Sequence, residues 1–256
     1  MTRKAFLYGL IAAVVVLALG VVALVTLLFV PVKSSGAPTP TRSKRPTTPP
    51  SPSPTPTPTP TGFDKTQFST TDPASDWVLV NKQNPLHPVD YIPPLAPLNL
   101  PGYKGQMRPE AASALQQMFA AGQQEIGHTY TVQSPYRSYI DQKSVYAGWV
   151  SRLGQAQADR QSARPGYSEH QSGLAVDVDT VTAQSFGRTP AGQWLAQNSW
   201  RFGFVVRYQD GQEGITGYEY EPWHLRYVGV PLATELQKQG FPSLETFFGY
   251  PPAPNY

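Results

Sequence analysis

Pro165-Gly-Tyr-Ser-Glu-His-Gln-Ser-Gly-Leu-Ala-Val-Asp-Val-Asp179 is the stretch on which the reading of the chain turns. His170 stands seven residues ahead of Asp177, with a turn of small residues between them. From Leu174 onward apolar side chains alternate with small or acidic ones, the period-2 pattern of a half-buried strand. Leu174, Val176 and Val178 are expected to face a core, and Ala175, Asp177 and Asp179 the opposite side. A strand with carboxylates on one face, entered from a loop bearing an imidazole, suits a borderline metal such as zinc. Two ligands are not a site, and the other stretch with matching chemistry is Glu221-Pro-Trp-His224.

Pro222 pushes Glu221 towards an extended backbone. A catalytic zinc takes three protein ligands and keeps one position open, and His170, Asp177 and His224 supply three. Glu221 is then left as general base towards water and as acid towards a departing amine. Amide hydrolysis near neutral pH calls for a metal because it needs a hydroxide-like nucleophile. The chain has no cysteine and no Gly-x-Ser-x-Gly, so no other nucleophile competes. Asp179 rivals Asp177 as a ligand. Glu169 and Glu219 rival Glu221, and both read as solvent-facing or as supports behind the ligands. His87 and His128 sit in loop or strand-edge contexts without partner acids and read as structural.

Outward from these motifs, the 256 residues divide sharply. Residues 1–5 form a short basic start, and Phe6 to Val30 carries no charged side chain. That run is too long for a signal-peptide core and suits a single transmembrane helix of about 20 residues. Residues 31–62 are a Pro/Thr/Ser-rich linker, expected to be an extended, solvated stalk reaching up to about 90 Å. A spacer of this kind places the remaining domain, 63–256, outside the cytoplasm and facing a cell wall. The absence of cysteine is compatible with that side of the membrane. A net charge of +3 without clustered basic residues gives no nucleic-acid footprint, and a monomer is expected.

Within the domain, Trp77 to Lys82 reads as a short strand and Asn84 to Pro101 as an irregular, proline-rich arm. Arg108 to Phe119 is a predicted helix with Pro109 in its first turn. Thr129 to Val132 reads as a strand, Tyr139 to Leu153 as a helix, and Gly154 to Gly166 as a polar loop. Pro190 to Trp200 follows as a helix, then Gly203 to Tyr208 as a strand. Asp210-Gly211 marks a hairpin-type turn, and a further strand is expected near Gly217 to Glu221. A last helix, Pro231 to Gln239, closes on Gly240. Helices and strands mix without βαβ alternation. The expected class is therefore α+β, a small antiparallel sheet flanked by helices. Trp149, Trp194 and Trp200 are assigned to packing, and Trp223 to fixing its two neighbours.

Ser168-Glu-His-Gln-Ser-Gly-Leu-Ala-Val-Asp177 together with Glu221-Pro-Trp-His224 resembles the zinc D-alanyl-D-alanine carboxypeptidases of the VanY type. Their signature is Ser-x-His-x6-Asp followed by Glu-x-x-His. The likeness extends from about Val78 onward through Leu79-Val-Asn-Lys82, Tyr136-Arg-Ser138, Gly203-Phe204, Arg207-Tyr208 and Thr216-Gly-Tyr218. The resemblance implies zinc bound by His170, Asp177 and His224, with Glu221 as the catalytic base, which favours Asp177 over Asp179. It implies a peptidoglycan stem peptide as substrate, losing its terminal D-alanine. An L,D-carboxypeptidase acting on tetrapeptide stems, a cross-bridge endopeptidase and a silent wall-binding module are the alternatives. A free carboxylate and an oxyanion both call for a cation, and Arg137 is the candidate. The resemblance adds substrate contacts from Gln142 and Ser168, with Tyr208 as a further candidate.

Overall fold

The computed structural model describes residues 62–101, 103–179 and 185–256. The expected membrane span over 6–30, and the linker up to Thr61, lie outside these residues. Among the described residues no helix is long and apolar enough to cross a membrane.

Helix α1, Pro109–Ile126, begins with proline at its first position and Glu110 in its first turn. It buries Ala111, Ala112, Leu115, Met118, Phe119 and Gly122. The helix runs a further two turns past the expected end at Phe119, because Ala120 to Ile126 are helix-compatible. Gly122 is tolerated in it because Tyr130 packs there, and a Cβ would run into that ring. Two short strands, β1 at Ala96–Pro97 and β2 at Gln106–Met107, pair just ahead of α1 within the proline-rich arm.

The central sheet contains β3 (Val132–Ser134), β4 (Ala175–Val178), β5 (Phe204–Val206) and β6 (His224–Tyr227). Its spatial order is β3-β4-β6-β5, and every pairing is antiparallel. The fold is α+β, as the mixed pattern implies. Leu174, Val176 and Val178 are fully buried, as the alternation predicts, and they join α1 and Trp194 in one core cluster. A second cluster gathers Trp77, Leu79, Val205, Val228, Leu232 and Phe247.

Several local expectations are corrected. Trp77 to Lys82 is buried but is not a ladder strand. Its backbone is satisfied piecemeal, with Leu79 N donating to Thr70 O at 2.8 Å and Arg226 donating to Val78 O at 2.8 Å. A short apolar run reads the same in either environment. Gly154 to Gly166 is not all loop. Gly154 separates α2, Tyr139–Leu153, from α3, Gln155–Gln161. Polar sequence is no bar to an exposed helix. After α4, Pro190–Asn198, and β5, the Asp210-Gly211 turn leads into a short helix, α5 (Glu213–Thr216), rather than a hairpin partner. The strand expected at Gly217 to Glu221 is displaced into β6, three residues beyond Glu221. Helix α6, Val230–Lys238, matches the last expected helix, and α7, Leu244–Phe248, follows it unforeseen.

Candidate metal centre

The register of the two central strands builds the site. Asp177 on β4 faces His224 on β6 across the sheet. His170 arrives from the 3-10 turn Glu169–Ser172, which ends at Gly173. That glycine takes φ 73° where Arg108 and Pro93 crowd it, and so turns the chain into β4. One ligand atom from each of His170, Asp177 and His224 falls within 4.8 Å of the others.

Hydrogen bonds fix which nitrogens are offered. His170 Nδ1 donates to Pro135 O at 2.9 Å, leaving Nε2 free, 3.3 Å from Asp177 Oδ2. His224 Nε2 lies 3.3 Å from a Glu169 carboxylate oxygen, so Nδ1 is the nitrogen turned to the site, 3.1 Å from Asp177 Oδ1. Burial alone would lower the His224 pKa, but Asp177 and Glu169 overcome this and push it up to about 10. Without a metal, that proton stabilises the pair of acids. Yet Asp177 Oδ1 is buried and accepts no well-aligned hydrogen bond from the imidazole beside it. Two imidazole nitrogens, one set against each oxygen of a carboxylate whose Oδ1 has no hydrogen bond, are what a dication requires, and metal binding would displace the proton. The residues fit zinc, whose sites favour nitrogen with a carboxylate.

Asp179, the rival ligand, is turned away. It accepts from Thr131 N and Thr131 Oγ1, both at 2.7 Å, and pairs with His128. His128 therefore has an acid partner, contrary to the sequence reading. Glu221 Oε2 sits 3.6 Å from His224 Nδ1. Burial, assisted by the charges of Asp177 and Glu169, pushes its carboxyl up to about 8 against the opposing pull of His224 and Arg137. A carboxyl so placed can carry a proton, although a bound dication would draw the value back down.

Arg137 follows β3 and stands 4.0 Å from Asp177. Its Nη1 donates to Gln142 Oε1 at 3.0 Å and its Nη2 to Ser134 Oγ at 2.9 Å. Gln142, fully buried, donates in turn to Ala163 O at 2.6 Å and to Ser162 Oγ at 3.3 Å. Its amide thus braces Arg137. A cavity of ≈ 330 Å³ opens over the ligands, and Arg137, Ser168, Tyr208 and Glu221 line it. The Tyr208 ring packs on His224 with centroids 4.8 Å apart. Trp149, assigned to packing, lines this cavity instead. Glu219 pairs with Arg160 at the rim, 3.3 Å apart.

Glu169, which the sequence leaves between solvent-facing and supporting, takes the supporting place. It is buried to 1 % exposure and meets Arg207 Nε and Arg226 Nη1, each at 2.8 Å, as well as His224. Burial pushes its carboxyl up, but Arg207, Arg226 and His224 outweigh this and hold it well below the usual range. Arg207 also forms a two-pronged bond to Glu245 at 2.7 and 3.0 Å, and Glu245 accepts from Asn81 at 3.0 Å. Only the acid's position next to His170 in sequence could have suggested a link to the ligands.

Residues 104–230 match the family model VanY: D-alanyl-D-alanine carboxypeptidase. The Bacillus subtilis (strain 168) protein YodJ, named as a carboxypeptidase, is 39% identical over 188 residues. That alignment covers 69% of this chain and 68% of YodJ. The chain belongs to the VanY family. Among solved structures, the LdcB LD-carboxypeptidase superposes with a TM-score of 0.64 at 39% identity, covering 69% of this chain and 87% of the other. A mutant VanY D,D-pentapeptidase from a VanB-type resistance cassette, in complex with Zn(II), gives 0.58 at 34% identity over 66% and 97%. Members of the VanY family are zinc metallopeptidases, and in this chain the His170, Asp177 and His224 cluster could hold such an ion. The protein is a carboxypeptidase acting on peptidoglycan peptides.

Proposed function

We infer that this VanY-family domain is a zinc D,D-carboxypeptidase that removes the terminal D-alanine from peptidoglycan stem peptides. We read it as held on the outer face of the cell membrane by the uncharged run Phe6 to Val30 and the proline-rich linker. The observation that carries the reading is the guanidinium of Arg137, braced on two sides, beside three convergent ligands and Glu221. Zinc, when bound, supplies Lewis acidity and a more acidic water.

The chain's own residues do the rest. Glu221 Oε2 takes a proton from the attacking water and delivers it to the amine nitrogen as the peptide bond breaks. Arg137 has spent one N–H on Gln142 and one on Ser134, and its remaining donors meet negative charge on the substrate. Ser168 and Tyr208 line the same cavity, and among the described residues their hydroxyls have no protein partner, which leaves them for the peptide.

The likeness to LdcB, at 39% identity over 87% of that chain, favours a second reading, an L,D-carboxypeptidase acting on tetrapeptide stems. Mass spectrometry of muropeptides after incubation with the zinc-loaded chain decides between them. Loss of one alanine from pentapeptides ending in D-Ala-D-Ala, with tetrapeptides intact, is expected. Loss from tetrapeptides alone moves the assignment to the L,D class. Recovery of the full-length chain only in soluble fractions would remove the anchor.

A further inference from the structure

Past residue 230 the chain leaves the stretch matched by the family model, and the end of its last segment, 250–256, lines a separate cavity with Lys82, Asp159 and Arg164, behind the walls of the catalytic one. The segment is pinned along its length. Tyr250 Oη meets Thr70 Oγ1 at 2.8 Å, and Ala253 N donates to Ile215 O at 2.7 Å. Lys82 Nζ donates to Pro254 O at 3.2 Å and to Gly217 O at 2.6 Å, and Gln83 donates to Asn255 O. These bonds deliver Tyr256 between Arg164 and Tyr218, behind the catalytic cavity.

On one side, Tyr256 Oη accepts the backbone N–H of Arg164 at 2.7 Å, and the Arg164 guanidinium lies 4.2 Å over the tyrosine ring. The neighbouring residue is Ala163, whose carbonyl holds Gln142, and Gln142 holds Arg137. Asp159 secures the Arg164 side chain at 2.8 and 3.0 Å, but the backbone N–H depends on the tyrosine. On the other side, Tyr256 Oη lies 3.2 Å from Tyr218 Oη. The Tyr218 ring packs on Tyr208 with centroids 4.6 Å apart, and Tyr208 packs on His224. One hydroxyl therefore closes a belt that runs from the substrate arginine round to a metal histidine.

We propose that Tyr256 is a positioning residue of this peptidase, its hydroxyl holding the 162–167 loop so that Gln142 presents Arg137 to the substrate. This rests on the reading of Arg137 given above. Tyr256→Phe keeps the ring and removes only the hydroxyl, so the fold should survive.

The test measures kcat/KM on the stem peptide the wild-type chain cleaves, zinc affinity by chelator competition, and amide hydrogen exchange over residues 162–167. Expected are a fall in kcat/KM of about three- to ten-fold, the worth of one hydrogen bond, and faster exchange in the loop. Zinc affinity should stay within about two-fold, because Glu169 holds His224 separately. Adding Tyr256→Phe to Gln142→Ala should cost no more than Gln142→Ala alone, since both cut one path. Wild-type kcat/KM, unchanged loop exchange, or an effect that adds fully to Gln142→Ala would each overturn the proposal. If the wild-type chain cleaves no stem peptide, the functional reading fails, and the exchange comparison alone then decides for or against the positioning role.

Discussion

The two histidines of the metal centre are held by different means. His170 hangs on a backbone carbonyl, Pro135 O, from a tight 3-10 turn. His224 leans on Glu169, which is buried among Arg207 and Arg226, with Glu245 behind them. The first support is a neutral bond that no side-chain change can delete. The second is a chain of charges taken out of water, where removing one member leaves the others unpaired. Perturbations should therefore strike the two candidate ligands unequally, although both would offer one nitrogen to the same ion.

Glu221 gives the largest expected effect and tests the comparison from outside it. It lies within 3.6 Å of His224 but braces neither ring. Glu221→Gln should lower kcat by about 10²- to 10⁴-fold, as loss of a general base does. Zinc content measured on the same sample should be unchanged. Activity near the wild-type level would reject the assignment, and loss of zinc would move Glu221 in among the supports.

Glu169→Gln comes next. The glutamine can still reach His224, but Arg226 loses its charged partner in a region with no access to water. Zinc affinity should fall about 10- to 100-fold. Stability should drop by about 3–5 kcal/mol, the usual cost of breaking a buried pair. Chelator competition and chemical denaturation read the two separately. An affinity change without a stability change would mean that the arginines find other partners.

These two predictions also mark how far the sequence could be read. The candidate ligands were legible because the spacing of His170 from Asp177, and of Glu221 from His224, is local, although only the resemblance chose Asp177 over Asp179. So was α2, with Ser138 capping it and Gly154 ending it. The support behind His224 was not legible. Arg207 and Arg226 lie 38 and 57 positions from Glu169, and only the pairing of β4, β6 and β5 brings them together. A Glu beside a ligand reads as solvent-facing or as a support, and only the placing of the arginines decides for the support. The strand expected at Gly217 to Glu221 failed for a related reason. Tyr218 and Tyr220 alternate like a strand, but Tyr218 is buried by stacking on Tyr208 rather than by a ladder.

Acid should weaken the charged support before the neutral one. In the folded chain burial pushes the Glu245 carboxyl up, but Arg207 and Asn81 overcome it and the net shift is downward from 4.5. A carboxyl lowered on folding contributes stability that is complete above its unfolded value and is lost as pH falls through the folded one. The contribution of Glu245 should therefore be level above pH about 4.5 and fall below it. Glu245→Gln should be less stable at pH 7 and lose less on acidification. Denaturation midpoints between pH 7 and pH 3 follow this directly, and parallel curves for the two proteins would show that Glu245 does not carry the effect.

The smallest effect is expected at the other histidine. Pro135→Ala leaves the carbonyl that receives His170 Nδ1 in place and removes only the ring that restrains the backbone. The entropic loss from a freer unfolded chain is below about 1 kcal/mol. Zinc affinity should stay within about two- to three-fold of wild type, against the much larger fall for Glu169→Gln. Pro135 also packs near Gly105, so a modest drop in Tm is consistent with this outcome. A fall in affinity as large as that of Glu169→Gln would mean that the backbone support is not preset by the 3-10 turn and β3. It would then depend on the proline to hold its carbonyl in place, and the two ligands would be equally fragile.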